Sequence, residues 1–93
     1  MENFTRVWAL ELAEDGVRVN AISPGAIRTN IWNVPGLSPE EAKAHEAGIA
    51  ASVPCKRFGQ PEKVANVAAF LASGEAGYIS GAIYGVDSGM GAL

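Results

Sequence analysis

The chain is poor in the residues that build metal or redox sites. It has one cysteine, Cys55, and one histidine, His45, among 93 residues. A single cysteine excludes an internal disulfide framework. His45 has no Cys, Asp or Glu partner at ligand spacing, so it reads as a solvated side chain and no metal site is expected. Cys55 follows a proline in a connector and reads as a plain buried or half-buried thiol. Basic residues are also few. Seven Lys and Arg stand against ten Asp and Glu, for a net charge of −3, so no basic surface for nucleic acid or an anionic membrane is expected. No apolar run approaches the roughly 20 residues of a membrane span. The opening Met-Glu-Asn-Phe-Thr-Arg lacks a basic region followed by an apolar core, so no export leader is expected and a reducing cytoplasm is the default. There is no internal repeat and no low-complexity tract.

At 48% hydrophobic residues, the composition is that of a globular chain with one modest core. Phe4, Trp8 and Leu12, with Val7 and Leu10 beside them, predict a helix over residues 2–14, stopped by Asp15-Gly16. Residues 17–22 are apolar-rich and strand-forming. They empty into Ser23-Pro24-Gly25, where proline cannot continue a ladder and glycine permits unusual backbone angles or a close approach. From Asn30 the periodicity breaks. Ser38-Pro39-Glu40-Glu41 then supplies a capping box with proline at the first helical position, and predicts a short, Ala-rich helix from Pro39 to about Ala50. Its weak apolar surface marks residues 30–58 as a mobile flap. Gln60-Pro61-Glu62 starts another helix, 61–73, with Val64, Val67, Ala68 and Leu71 on one stripe. A second buried strand is expected at 82–86, ended by Asp87-Ser88-Gly89.

Strand, helix, strand with a long connection implies a right-handed parallel pair. Strand 17–22 has an interior composition, yet nothing in the sequence pairs with its second edge, and parallel strands are normally flanked and covered on both faces. Ligands of parallel sheets sit outside the carboxyl ends of the strands. The turn at Pro24-Gly25 is therefore a binding-site candidate, although an ordinary strand-ending turn fits the same residues. Asn20, polar within an apolar strand, is expected to bond a neighbouring backbone.

Five blocks in order resemble the carboxyl-terminal part of a short-chain dehydrogenase/reductase. They are Phe4-Thr5-Arg6 with Leu10-Glu11-Leu12-Ala13; Gly16 to Gly25; Arg57 to Glu62 with Val64-Ala65 and Phe70-Leu71-Ala72-Ser73; Tyr78-Ile79-Ser80-Gly81; and Val86-Asp87-Ser88-Gly89. The resemblance implies an α/β fold, namely part of a doubly wound, parallel-sheet Rossmann-type domain that binds NAD or NADP over residues 1–93. It implies that Pro24, Gly25, Ile27 and Thr29 form the cofactor turn, with the Ile27 backbone at the nicotinamide carboxamide. A carboxamide needs both a donor and an acceptor, which a peptide and a hydroxyl provide.

In the family the substrate flap falls at Ile31, Trp32, Val34 and Leu37, which would form an apolar lid over a small alcohol or carbonyl substrate with an apolar portion. Packing of Trp32 in the core is the alternative. Helices 2–14 and 61–73 resemble subunit contacts of a homo-oligomer. Asp87 matches the strand-end residue that fastens the final turn, and Ser88 stands where the family has glycine.

The family's Gly-rich phosphate turn, its catalytic serine and its Tyr-x-x-x-Lys pair have no match in the 93 residues. Tyr78 is followed four residues on by Ala82, and Tyr84 by Ser88. The expectation is thus a segment that matches the region just after the catalytic lysine. It contains no catalytic residue, is inactive by itself and serves an oxidoreductase that interconverts hydroxyl and carbonyl groups. The alternative is a stand-alone, non-catalytic interaction or oligomerisation module of the same ancestry.

Overall fold

The computed structural model describes residues 2–28 and 35–92. The elements run α1 (Glu2–Leu12), β1 (Ala21–Pro24), α2 (Pro39–Ser52), α3 (Pro61–Ala72) and β2 (Ile83–Val86), with short 3-10 turns at Ala13–Asp15, Gly74–Ala76 and Met90–Ala92. The order is the expected one, and β1 and β2 pair in parallel, Ala21 opposite Ile83 through Pro24 opposite Val86.

The boundaries of β1 differ from the expected 17–22, for a reason visible in the partner segment. Gly81 sits at φ +76°, so the chain opposite residues 17–20 is turned rather than extended. Side chains take over there. The Val19 N–H donates to Ser80 Oγ at 3.1 Å, and the Val19 carbonyl accepts from the Gly81 N–H at 2.7 Å. Asn20 bridges the same segment, donating from Nδ2 to the Ile79 carbonyl and accepting at Oδ1 from the Ala82 N–H, both at 3.0 Å. The polar residue in the apolar run therefore replaces two rungs of a ladder, which is the backbone role expected of it.

At the other end the strand runs two residues further than expected and includes Pro24. The N–H groups of Ala21 and Gly25 donate to the Ala82 and Val86 carbonyls at 2.9 and 3.0 Å. Donors toward β2 thus fall on alternate residues, and the N–H that Pro24 lacks belongs to the opposite edge, where it costs this pair nothing.

Helix α1 is present, and a left-handed Gly16 (φ +73°) follows its terminal 3-10 turn. Its apolar stripe is not its inner face, however. Phe4, Trp8 and Leu10 are 59%, 50% and 80% exposed, whereas Thr5 and Ala9 are buried. Phe4 and Trp8 stack on each other with ring centroids 5.4 Å apart. A Cβ on Gly81 would lie 3.5 Å from the Ala9 Cβ, so small residues on both sides set this contact.

Helix α2 carries the full capping box. The Glu41 N–H donates to Ser38 Oγ at 3.1 Å, and the Ser38 N–H donates to Glu41 Oε1 at 3.2 Å. None of its residues is buried. Helix α3 buries Leu71. Arg18 reaches its last turn and donates to the carbonyls of Leu71 (2.8 Å), Ser73 (3.3 Å) and Ile79 (3.4 Å). This arginine satisfies helix-end carbonyls that no further turn can reach.

The buried apolar residues are Ala9, Val53, Phe58, Leu71 and Ala76, a thin core. The molecule measures 54 × 24 × 23 Å with a radius of gyration of 16.7 Å, against about 12 Å for a compact domain of this length. Its accessible surface is 6670 Å², roughly 1,600 Å² above the value expected for a compact monomer of its mass. Apolar helix surface and, among the described residues, the second edge of β1 are left uncovered.

Candidate functional site

The parallel register brings both strand exits to one end of the molecule. The two exits touch closely. A Cβ built on Gly25 would meet the Asp87 Cβ at 2.7 Å and the Asp87 Cα at 2.8 Å. The close approach that requires glycine in this turn is therefore made by the exit of β2. Asp87 fastens that exit as expected. Its two carboxylate oxygens accept from the N–H groups of Gly89 (3.0 Å) and Gly91 (3.1 Å). Ser88, where glycine was the family's residue, takes the left-handed conformation at φ +60°. Its Oγ accepts from the Cys55 N–H at 2.7 Å, which ties the exit of β2 to the connector after α2.

The turn is also tied to that connector. Ile27 and Gly59 form an isolated parallel bridge. The Gly59 N–H donates to the Ala26 carbonyl at 2.9 Å, and the Arg28 N–H donates to the Gly59 carbonyl at 2.8 Å. These bonds use the peptide groups on either side of Ile27, so Ile27's own N–H and C=O point to the opposite side of the chain. The Arg28 guanidinium lies 4.7 Å from the centre of the Phe58 ring and 3.2 Å from Glu46 Oε2 on α2.

Between the turn, the connector and the exit of β2 lies a cleft of about 240 Å³, bordered by Ala26, Ile27, Val53, Arg57, Lys63 and Asp87. It occupies the place where parallel sheets bind ligands, outside the carboxyl ends of the strands.

Of the sequence-predicted cofactor residues, Pro24 ends β1 at the surface, Gly25 is half-buried against Asp87, and Ile27 is half-buried at the cleft. Of the predicted lid residues, Leu37 is half-buried ahead of the α2 cap. Thr29, Ile31, Trp32 and Val34 lie outside the described residues. Cys55 is exposed, contrary to the buried or half-buried thiol expected. Its backbone is bound by Ser88 while its side chain stays outside the thin core. His45 is exposed as expected. Among the described residues no three His, Cys, Asp or Glu side chains converge on a metal-sized site, and no helix is long and apolar enough to cross a membrane.

Sequence reasoning did not single out Arg28, Arg57 or Lys63. The alternation along Ile27, Arg28 and Thr29 could have flagged Arg28, because it separates the turn's outward residues from the side that meets the connector.

The comparisons with known proteins agree with this architecture. Residues 1–91 match the family model described as enoyl-(acyl carrier protein) reductase. The 3-oxoacyl-[acyl-carrier-protein] reductase FabG of Thermotoga maritima is 43% identical over 86 residues, which is 92% of this chain and 32% of that protein. The short-chain dehydrogenase/reductase bsc3 of Alternaria brassicicola is 41% identical over 81 residues, 87% of this chain and 29% of that protein. A solved short chain dehydrogenase family protein from Francisella tularensis superposes with a TM-score of 0.86 at 27% identity, covering 99% of this chain and 40% of that one. The chain thus spans about a third of the length of the curated relatives it matches. With its parallel pair, its strand-exit turn and these matches along nearly its whole length, the chain belongs to the short-chain dehydrogenase/reductase family.

Proposed function

We propose that the chain is the carboxyl-terminal segment of an NAD- or NADP-dependent oxidoreductase that interconverts a hydroxyl and a carbonyl group. In this reading Pro24, Gly25, Ile27 and Thr29 form the nicotinamide-side turn. Ile31, Trp32, Val34 and Leu37 form the substrate lid, and helices 2–14 and 61–73 form oligomer surface. One observation carries the assignment of the turn. The parallel register carries residues 25–27 outside the carboxyl ends of both strands, beside the cleft bordered by Ala26, Ile27 and Asp87, which is where parallel sheets bind ligands. When bound, the nicotinamide supplies or takes up the hydride. The chain's own residues orient the ring through the turn and exclude water with the lid.

The segment by itself should not turn over, because its residues include no Tyr-x-x-x-Lys pair to handle the carbonyl proton and no Gly-rich turn to hold the pyrophosphate. The experiment is NADH and NADPH oxidation by the purified chain with aliphatic and aromatic ketones. No turnover is expected, and sustained turnover would refute this division of labour.

A second reading has its own support. The uncovered edge of β1 and the excess surface favour an interaction module that pairs with a second copy or with a longer relative. Size-exclusion chromatography with light scattering separates the two. A folded monomer at all concentrations counts against the module.

A further inference from the structure

Arg28 sits between two parts of the site that are separate in sequence, the turn after β1 and helix α2, and three contacts leave from it. Its N–H donates to the Gly59 carbonyl at 2.8 Å. Its guanidinium carbon stands 4.7 Å from the centre of the Phe58 ring. Its Nη1 lies 3.2 Å from Glu46 Oε2. The first two contacts are to firm ground. Phe58 is 6% exposed and belongs to the core, and Gly59 is locked in the bridge to Ile27. A cation held over a fixed aromatic face is already oriented before it meets its carboxylate, which lowers the ordering cost that makes most surface pairs weak.

The third contact reaches an element that needs a tether. No residue of α2 is buried. Five of its fourteen residues are Ala and Ile49 is its one bulky aliphatic side chain, and the buried Val53 comes only after its last turn. Glu46 lies near the middle of the helix, and its pair with Arg28 is the ion pair found among the described residues.

The geometry points to Arg28 as a latch, a positioning residue that holds the middle of α2 against the turn through Glu46 while Phe58 and Gly59 hold Arg28 itself. The latch stands on these contacts alone. Its consequence, that α2 and the nicotinamide-side turn move as one unit, rests on the reading of residues 24–29 proposed above.

Hydrogen exchange of the 93-residue chain, read by mass spectrometry, tests it without any cofactor. Arg28→Met and Glu46→Gln should each speed exchange across residues 42–50 by about two- to five-fold and leave residues 63–72 of α3 unchanged. The double variant should match either single variant, because one contact is lost in each case. Arg28→Lys keeps the charge and should stay close to the parent chain. Salt at about 0.5 M should bring the parent chain toward the variants.

The latch is overturned by α2 exchange that is unchanged in both single variants, by additive effects in the double variant, by equal acceleration of α2 and α3, or by a parent chain whose α2 exchanges unprotected. Failure of the latch leaves the cofactor reading of the turn standing. Failure of that reading leaves these exchange rates as they are.

Discussion

Gly25→Ala puts the contact between the strand exits to the test. The added Cβ would stand 2.7 Å from the Asp87 Cβ and 2.8 Å from the Asp87 Cα. Carbon atoms prefer about 3.5–4.0 Å, so one exit must move by about 1 Å. Neither side can yield by rotating a side chain, because the nearest atoms are the Cβ and backbone of Asp87, whose carboxylate is held by Gly89 and Gly91. The movement stretches the bond from the Gly25 N–H to the Val86 carbonyl, now 3.0 Å. Loss of that bond costs about 0.5–1.5 kcal/mol and the overpacking about 1–3 kcal/mol. A destabilisation of about 2–3 kcal/mol lowers the melting temperature of a chain this size by roughly 10 °C or more.

Gly48→Ala is the control. It lies inside α2 with nothing within 4 Å of an added Cβ, so it should stabilise by about 0.5–1 kcal/mol through helix propensity. Thermal unfolding followed by circular dichroism reads both. A Gly25→Ala chain that melts at or above the parent temperature would refute the reasoning. It would leave a bound ligand as the reason for glycine in the turn.

Three further outcomes follow from the same structure. Arg18→Met removes a donor from the Leu71 and Ser73 carbonyls at the end of α3 and from the Ile79 carbonyl ahead of β2, and should cost about 1.5–3 kcal/mol in urea unfolding. Arg18→Lys should recover little, because a point charge cannot replace the forked guanidinium. Asn20→Leu leaves the Ala82 N–H without its partner and the Ile79 carbonyl with only the longer Arg18 bond, and should cost about 1–3 kcal/mol, seen as faster amide exchange at Ala82. Ser38→Ala removes the capping box of α2 and should lower helix content in circular dichroism by an amount consistent with about 1 kcal/mol, with the β1–β2 amides unaffected.

The order of elements was legible because each helix start carries its own chemistry. Ser38 to Glu41 form the capping box that the spacing predicts, Pro61 opens α3, and strand–helix–strand required the parallel pair. What periodicity could not supply was the tertiary choice among faces and partners. Helix α1 packs through Thr5 and Ala9 because small residues allow close approach to Gly81, while the larger stripe of Phe4, Trp8 and Leu10 faces outward.

Residues 17–20 have strand composition, yet Gly81 turns the opposing chain and Arg18 and Asn20 substitute side-chain bonds for ladder bonds. Within the candidate site, the turn was legible as a ligand-facing strand exit. The packing of Gly25 on Asp87 and the placement of Arg28 over Phe58 depend on contacts 62 and 30 residues apart in sequence, which no local pattern encodes.

The central claim is that these residues are the carboxyl-terminal segment of a longer dehydrogenase. Sequencing the DNA immediately upstream of the Met1 codon tests it most directly. The account predicts an open frame that runs into Met1 and encodes Tyr-x-x-x-Lys, with the lysine a few residues before it. An in-frame stop followed by a start signal would contradict the claim and move the interaction-module reading ahead.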